Sequence, residues 1–237
     1  MGKKKRKVLC IGDSLSLPGH LNSYEDTWFF KLKTEFPNYD FLCFFKRQLT
    51  IEVLVTMGGG IDGIDNWPKG ADCLEAFMPD IVILQLGIVD CAPRLLNKYE
   101  RKIVSILPLG MRSSFIMLVK KYKKRSTTNT TVSFQNFKNK LDNYLSRAEK
   151  IAKKIIIIPI SIPDSTFFAK NKEALINVET YNNYYFDLAS KKDVVICTTE
   201  LSPNISVNSV YQDGYHPNQL GHNFIFQELK RTISGLN

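Results

Sequence analysis

Histidine is scarce in this chain, with three in 237 residues, and cysteine is little commoner, with five scattered residues and no CxxC pair. These shortages leave no visible metal-ligand cluster, because thiolate and imidazole sites need several ligands at short, regular spacing. Cys10, Cys43 and Cys197 fall in apolar stretches that read as strands. Buried free thiols in a reducing compartment are therefore expected, not a disulfide framework. Long apolar runs are absent too: none approaches the roughly 20 residues of a bilayer-spanning helix. No internal repeat or low-complexity linker breaks the sequence, so its 237 residues suit one domain, 1–237, with one good-sized core. Hydrophobic content of 44% and charged content of 23% are ordinary for a soluble globular protein.

Acidic charge is missing in two places. The net charge is +9, but Lys3–Lys7 supplies +5 and 98–125 supplies +8, with nine basic residues against Glu100 alone; the rest of the chain is net negative. The opening KKKRKV resembles a nuclear import signal, but it abuts the first apolar run directly and reads better as a solubilising or membrane-surface flank. The apolar run behind it is too short for a secretory signal. Arg6 stands where a myristoylation pattern needs Ser or Thr. A cytoplasmic location, with peripheral contact to a membrane as an option, is the expectation.

Strand and helix patterns alternate along the chain. Val8–Ile11 and Phe41–Phe45 read as strands, with an amphipathic helix over Tyr24–Phe36 between them that Pro37 stops. Leu49–Val55 is ambiguous. Asp80–Gly87 (DIVILQLG) is β-branched, apolar and ended by glycine, the clearest strand of the first half. A helix from Ser133 or Thr131 to about Lys153 follows, then a buried strand in Lys154–Pro163, a helix over Glu173–Lys191, a strand over Val194–Thr199 and a last helix from Asn218 to about Ile233. This alternation implies an α/β protein: a parallel sheet covered on both faces, a three-layer flavodoxin-like sandwich.

Two stretches at opposite ends carry chemistry. In VLCIGDSLS, Gly12 breaks the first strand and leaves Ser14 at its carboxyl end, where ligands bind in open α/β sheets. In DGYHPNQLGH, Asp213 stands three residues before His216, a spacing that lets the carboxylate fix the imidazole tautomer while the other ring nitrogen faces a serine. The nucleophile elbow GxSxG is not met, since Ser16 occupies the second glycine position, and this argues against the α/β-hydrolase fold. Gly12-Asp13-Ser14-Leu15 paired with Asp213-Gly214-Tyr215-His216-Pro217 resembles the SGNH (GDSL) hydrolase family.

The resemblance covers most of the chain and treats about 95–131 as an insertion. It implies hydrolysis of an O-acyl ester, commonly a carbohydrate O-acetyl or a lipid acyl group, without cofactor or metal. Ser14 is then the nucleophile, His216 the base and Asp213 its orienter. The N–H groups of Ser14 and Gly63, with Gly60 in the same G-x-x-G spacing, form the oxyanion hole. The family's Gly-x-Asn-Asp block reads Gly87-Ile88-Val89-Asp90 here, so valine replaces a side-chain oxyanion donor. Asp13, Asp90 and Arg94 are assigned to substrate binding, Arg94 with a surface position as its alternative. An O-acyltransferase using the same triad and a non-catalytic carbohydrate-binding relative are the other readings, the latter raised by Val89. The apolar and basic segment 98–125 reads either as an inserted helical pair with a solvated basic end or as a lid or interfacial segment touching an anionic membrane or acidic glycan. No nucleic acid is expected, because only Tyr122 interleaves the basic cluster.

Overall fold

The computed structural model describes residues 5–55, 70–122, 129–161, 172–198 and 207–235. Five strands form one sheet: β1 (Arg6–Gly12), β2 (Tyr39–Phe45), β3 (Ile81–Gln85), β4 (Lys154–Ile157) and β5 (Val194–Ile196). Their order is β2-β1-β3-β4-β5, and every adjacent pair is parallel. Around them lie α1 (Trp28–Glu35), α2 (Gly70–Phe77), α3 (Ile88–Cys91), α4 (Lys98–Ile106), α5 (Leu109–Tyr122), α6 (Phe134–Ala148), α7 (Lys172–Lys191) and α8 (Gln219–Ser234).

The apolar runs make a sheet covered on both sides because successive side chains point to opposite faces. Leu9 and Ile11 of β1, Val82 and Leu84 of β3, and Ile155 and Ile157 of β4 pack with Leu74, Phe137, Leu141, Tyr144, Tyr181 and Tyr185 from α2, α6 and α7. Their neighbours Val8, Cys10, Ile81, Ile83 and Ile156 pack the other way, on Trp28, Phe29 and Leu32 of α1 and Ile225, Leu229 and Ile233 of α8. Each fully buried side chain of this size contributes about 1.5–3 kcal/mol. The result is the expected three-layer α/β/α sandwich. From β1 the chain moves outward to β2 and then crosses back to β3. The carboxyl ends of β1 and β3 therefore flank the point where the strand order reverses, the position at which such sheets take their ligands.

Several expectations change in detail. Tyr24–Phe36 is not one helix: Tyr24–Asp26 is a 3-10 turn, Thr27 is extended, and its hydroxyl accepts the Phe30 N–H to start α1. The ambiguous Leu49–Val55 contains a 3-10 turn at Ile51–Leu54. The helix capped by Ser133 ends at Ala148, short of Lys153, and β4 covers only Lys154–Ile157 of the expected Lys154–Pro163. Cys43 is exposed rather than buried, while Cys10, Cys73, Cys91 and Cys197 are buried, and all five are free. Arg6 and Lys7 are part of β1 rather than a solvated flank: Arg6 donates to the Tyr39 hydroxyl at 3.1 Å, and Lys7 to the Phe77 carbonyl at 2.9 Å.

The segment after α3 forms a helical pair. Asn97 and Glu100 make a reciprocal capping box at the start of α4. At its end, the Arg112 guanidinium donates to the Ser105 and Leu107 carbonyls, so α5 caps α4. Among the described residues no helix is long and apolar enough to cross a membrane.

Candidate active site

β1 ends in a turn that only glycine fits. A Cβ on Gly12 would lie 2.0 Å from the Ser16 hydroxyl and 2.9 Å from its Cβ. The chain then folds into a 3-10 turn, Ser14–Ser16, capped by Asp13, whose carboxyl oxygen accepts the Leu15 N–H at 2.9 Å. Gln85, the last residue of β3, pins this turn from beside it. Its carbonyl accepts the Asp13 N–H at 3.1 Å, and its side-chain oxygen accepts Ser16 Oγ–H at 2.6 Å and Trp28 Nε1–H at 2.9 Å. Ser14 is left half-buried at the carboxyl edge of the sheet while Asp13, Leu15 and Ser16 are buried.

The other half comes from the turn before α8. Asp213 accepts the His216 N–H at 2.9 Å through one oxygen, and its other oxygen lies 2.7 Å from His216 Nδ1. His216 Nε2 is then 3.1 Å from Ser14 Oγ, across 202 residues of sequence. With Nδ1–H donated to Asp213, Nε2 is left as an acceptor for the serine proton. Burial pushes the Asp213 carboxyl up, but the His216 backbone and ring and the Tyr215 N–H outweigh it and hold the group below its ordinary value. The carboxylate is thus ionised beside the ring at neutral pH.

Two amides that the sequence reading did not single out lace the halves together. Gln212 donates to the Pro18 and Pro217 carbonyls at 3.2 and 3.0 Å and accepts the His20 and Leu21 N–H groups at 3.0 Å. Asn22 donates to the same two carbonyls at 2.8 and 3.0 Å. The loop after Ser14 and the turn bearing His216 are therefore clamped by side chains from both. Neither amide belongs to a recognisable spacing; only the tertiary approach of the two loops gives them a role. Gln85 likewise looked like one more residue of an apolar strand.

The remaining assignments separate. Asp13 is fully buried beneath Ser14, and its second oxygen has no hydrogen-bond partner among the described residues. Burial pushes it up to about 8, against the Leu15 N–H and helped by Asp90. Asp90, also buried, accepts the Ile51 N–H at 3.0 Å and is pushed up to about 7 by burial. Both carboxyls face the interior and accept from backbone N–H groups. Arg94 donates through Nε to Thr131 Oγ1 at 2.7 Å, and its N–H donates to the Asn129 carbonyl, which ties together the two ends of the inserted helical pair. Val89 is half-buried in α3 against the core. α3 follows Gly87, whose φ of +116° and 2.7 Å Cβ approach to Ile160 exclude a side chain there. Gly60 and Gly63 lie outside the described residues. His222, the third histidine, is buried in α8; burial pushes its ring down to about 4, so it packs as a neutral group.

No protein-family model matches the sequence, and no curated protein does. Solved structures do match. A lipase/acylhydrolase from Enterococcus faecalis is 14% identical, with a TM-score of 0.62, over 97% of this chain and 96% of its own. A G-D-S-L family lipolytic protein from Desulfitobacterium hafniense is 16% identical, with a TM-score of 0.56, over 96% and 99%. An acetylxylan esterase from Geobacillus stearothermophilus is 14% identical, with a TM-score of 0.58, over 96% and 94%. Two catalytic mutants of that esterase, one serine-to-alanine and one aspartate-to-alanine, match as well. With its strand order, its serine turn after β1 and its end-to-end match to these proteins, the chain has the three-layer fold of the SGNH (GDSL) hydrolases.

Proposed function

We propose that this protein is a serine esterase that removes an O-acyl group, with an O-acetylated carbohydrate or lipid-linked glycan as the substrate class. The observation that carries this reading is the Asp213–His216–Ser14 relay, with contacts of 2.7 and 3.1 Å assembled from opposite ends of the chain. Ser14 Oγ attacks the acyl carbon while His216 Nε2 takes its proton. Asp213 stabilises the imidazolium, and His216 returns the proton to the departing alcohol. Water, deprotonated by His216, then attacks the acyl-serine and releases the acid. The Ser14 N–H and Gly63 are the proposed oxyanion donors. Val89 in place of an asparagine removes one donor, a change that typically costs about 10²–10³ in turnover. A slow esterase is therefore expected. That the acetylxylan esterase has catalytic mutants at a serine and at an aspartate fits a site that uses both residue types.

The test is labelling with a fluorophosphonate followed by peptide mapping. The adduct is expected on Ser14, and on no residue in His216→Ala. An unlabelled Ser14, together with no hydrolysis of short-chain esters, would leave the carbohydrate-binding reading instead.

A further inference from the structure

The α4–α5 pair exposes what the rest of the molecule hides. On α4, Tyr99, Ile103 and Ile106 are 79%, 50% and 75% exposed. They stand at i, i+4 and i+7, so they form one stripe. Val104, on the opposite side, is half-buried. On α5, Met111, Leu118 and Tyr122 form a second exposed stripe at i, i+7 and i+11, and Met117 is exposed on a further side. Phe115, in the same row as that stripe, and Val119 and Ile116 next to it are half-buried. Each helix thus leaves large apolar side chains in water beside others that are partly covered.

Lys102 on α4 and Lys121 on α5 edge these stripes, Arg101 and Lys120 are exposed on the far sides of the two helices, and Lys121 Nζ lies 5.4 Å from the centre of the Tyr122 ring. The sequence continues with Lys123, Lys124 and Arg125, and Glu100, the lone acid of 98–125, is held in the cap of α4. We infer that the α4–α5 hairpin is an interfacial anchor that docks on an anionic lipid surface. A second copy of the chain is disfavoured, because it would bring two strongly positive hairpins together. A polyanionic polymer would satisfy the cations but leave the Ile, Met and Leu side chains in water. A bilayer surface takes both, with the aliphatic side chains in the acyl boundary, the tyrosines at the headgroups and the cations on the lipid phosphates.

The root of the hairpin gives this docking a direction. The chain leaves β3 through α3, and the Arg94 N–H to Asn129 carbonyl bond of 2.7 Å closes the neck. This places the neck at the sheet edge that carries Ser14, so an anchored hairpin holds the serine near the membrane. Lipid binding itself stands apart from the esterase reading.

The experiment is cosedimentation of the full chain with vesicles of phosphatidylcholine alone or with 30% phosphatidylglycerol, in low and high salt. Binding is expected only to the anionic vesicles and is weakened by salt. Tyr99→Ser/Ile103→Ser/Ile106→Ser should bind at least about tenfold more weakly at every salt concentration. Arg101→Gln/Lys102→Gln/Lys120→Gln/Lys121→Gln should lose on the order of fivefold per charge, mostly at low salt. Hydrolysis of a small soluble ester and the thermal midpoint should not change in either variant. Three results would each overturn the inference: wild-type protein that ignores anionic vesicles, serine variants that bind as well as wild type, or a concentration-dependent dimer abolished by the triple serine change.

Discussion

Ile83 in the middle of β3 and Ile106 at the end of α4 are the same residue in opposite surroundings. The first has no exposed surface, and the second keeps three quarters of its own. Ile83 is closed over by α1 and α8. Among the described residues the hairpin has no comparable cover, because α4 and α5 pack chiefly on each other. Apolar content alone therefore does not say what a segment is for; what the topology brings over it does. In the sheet, burial builds the platform that aims Ser14. In the hairpin, the same side chains are left as a surface.

The sharpest way to break the platform is at its chemistry. Ser14→Ala should lower kcat on a short-chain ester by about 10⁴–10⁶ without changing the thermal midpoint, and His216→Ala should do the same. Full activity in Ser14→Ala, measured against a no-enzyme blank, would remove the triad assignment. Asp213→Asn should cost roughly 10²–10⁴, because the ring then loses its orienting partner but keeps its base. This loss should appear in kcat rather than KM.

Ile83→Ala tests the contrast directly. It should destabilise the protein by about 2–5 kcal/mol in urea unfolding, as a cavity in a closed core does. Ile106→Ala should stay within about 0.5 kcal/mol of wild type. Equal costs would mean that α4 has a cover after all.

Asp13→Asn has a smaller effect than Ile83→Ala and is the most dependent on pH. Burial raises the Asp13 carboxyl from 3.8 to about 8, so the folded state keeps a proton that the unfolded chain releases. Stability from this group is complete below about pH 4 and falls as pH rises toward 8. Asparagine retains an acceptor for the Leu15 N–H and cannot ionise. The variant should therefore gain about 1–3 kcal/mol over wild type at pH 8–9 and little at pH 4, read from thermal unfolding at both. A gain independent of pH would show that Asp13 titrates normally.

The fold was largely legible because its strands are continuous apolar runs whose partners lie on both faces. DIVILQLG can hardly be anything else, and Asp213-x-x-His216 carries its own geometry in its spacing. Other features depend on meetings that no local pattern records. The extended Thr27, which splits the expected helix, is an exception: the Ser23–Asp26 cap before it and the Thr27 hydroxyl's bonds to the Tyr24 carbonyl and the Phe30 N–H are all local. Gln85, Asn22 and Gln212 gain their roles only when loops from distant parts of the chain touch. Asp90 and Arg94 stand in the right block of sequence, yet their described contacts brace the Ile51 turn and the hairpin neck. The exposed stripes of α4 and α5 were hidden for the opposite reason: helical spacing reports an apolar face but not whether anything covers it.

The 202-residue span between Ser14 and His216 also has a consequence for how the protein comes into being. At ribosomal speeds of about 5–20 residues per second, roughly 10–40 s separate the synthesis of the two residues. Throughout that interval β1 and its serine exist without a proton acceptor. The hydroxyl is an ordinary alcohol until α8 docks on α1 and brings the imidazole within reach. Under the proposed mechanism a nascent or misassembled chain is thus chemically silent, and turnover would report that the first strand and the last helix have found each other.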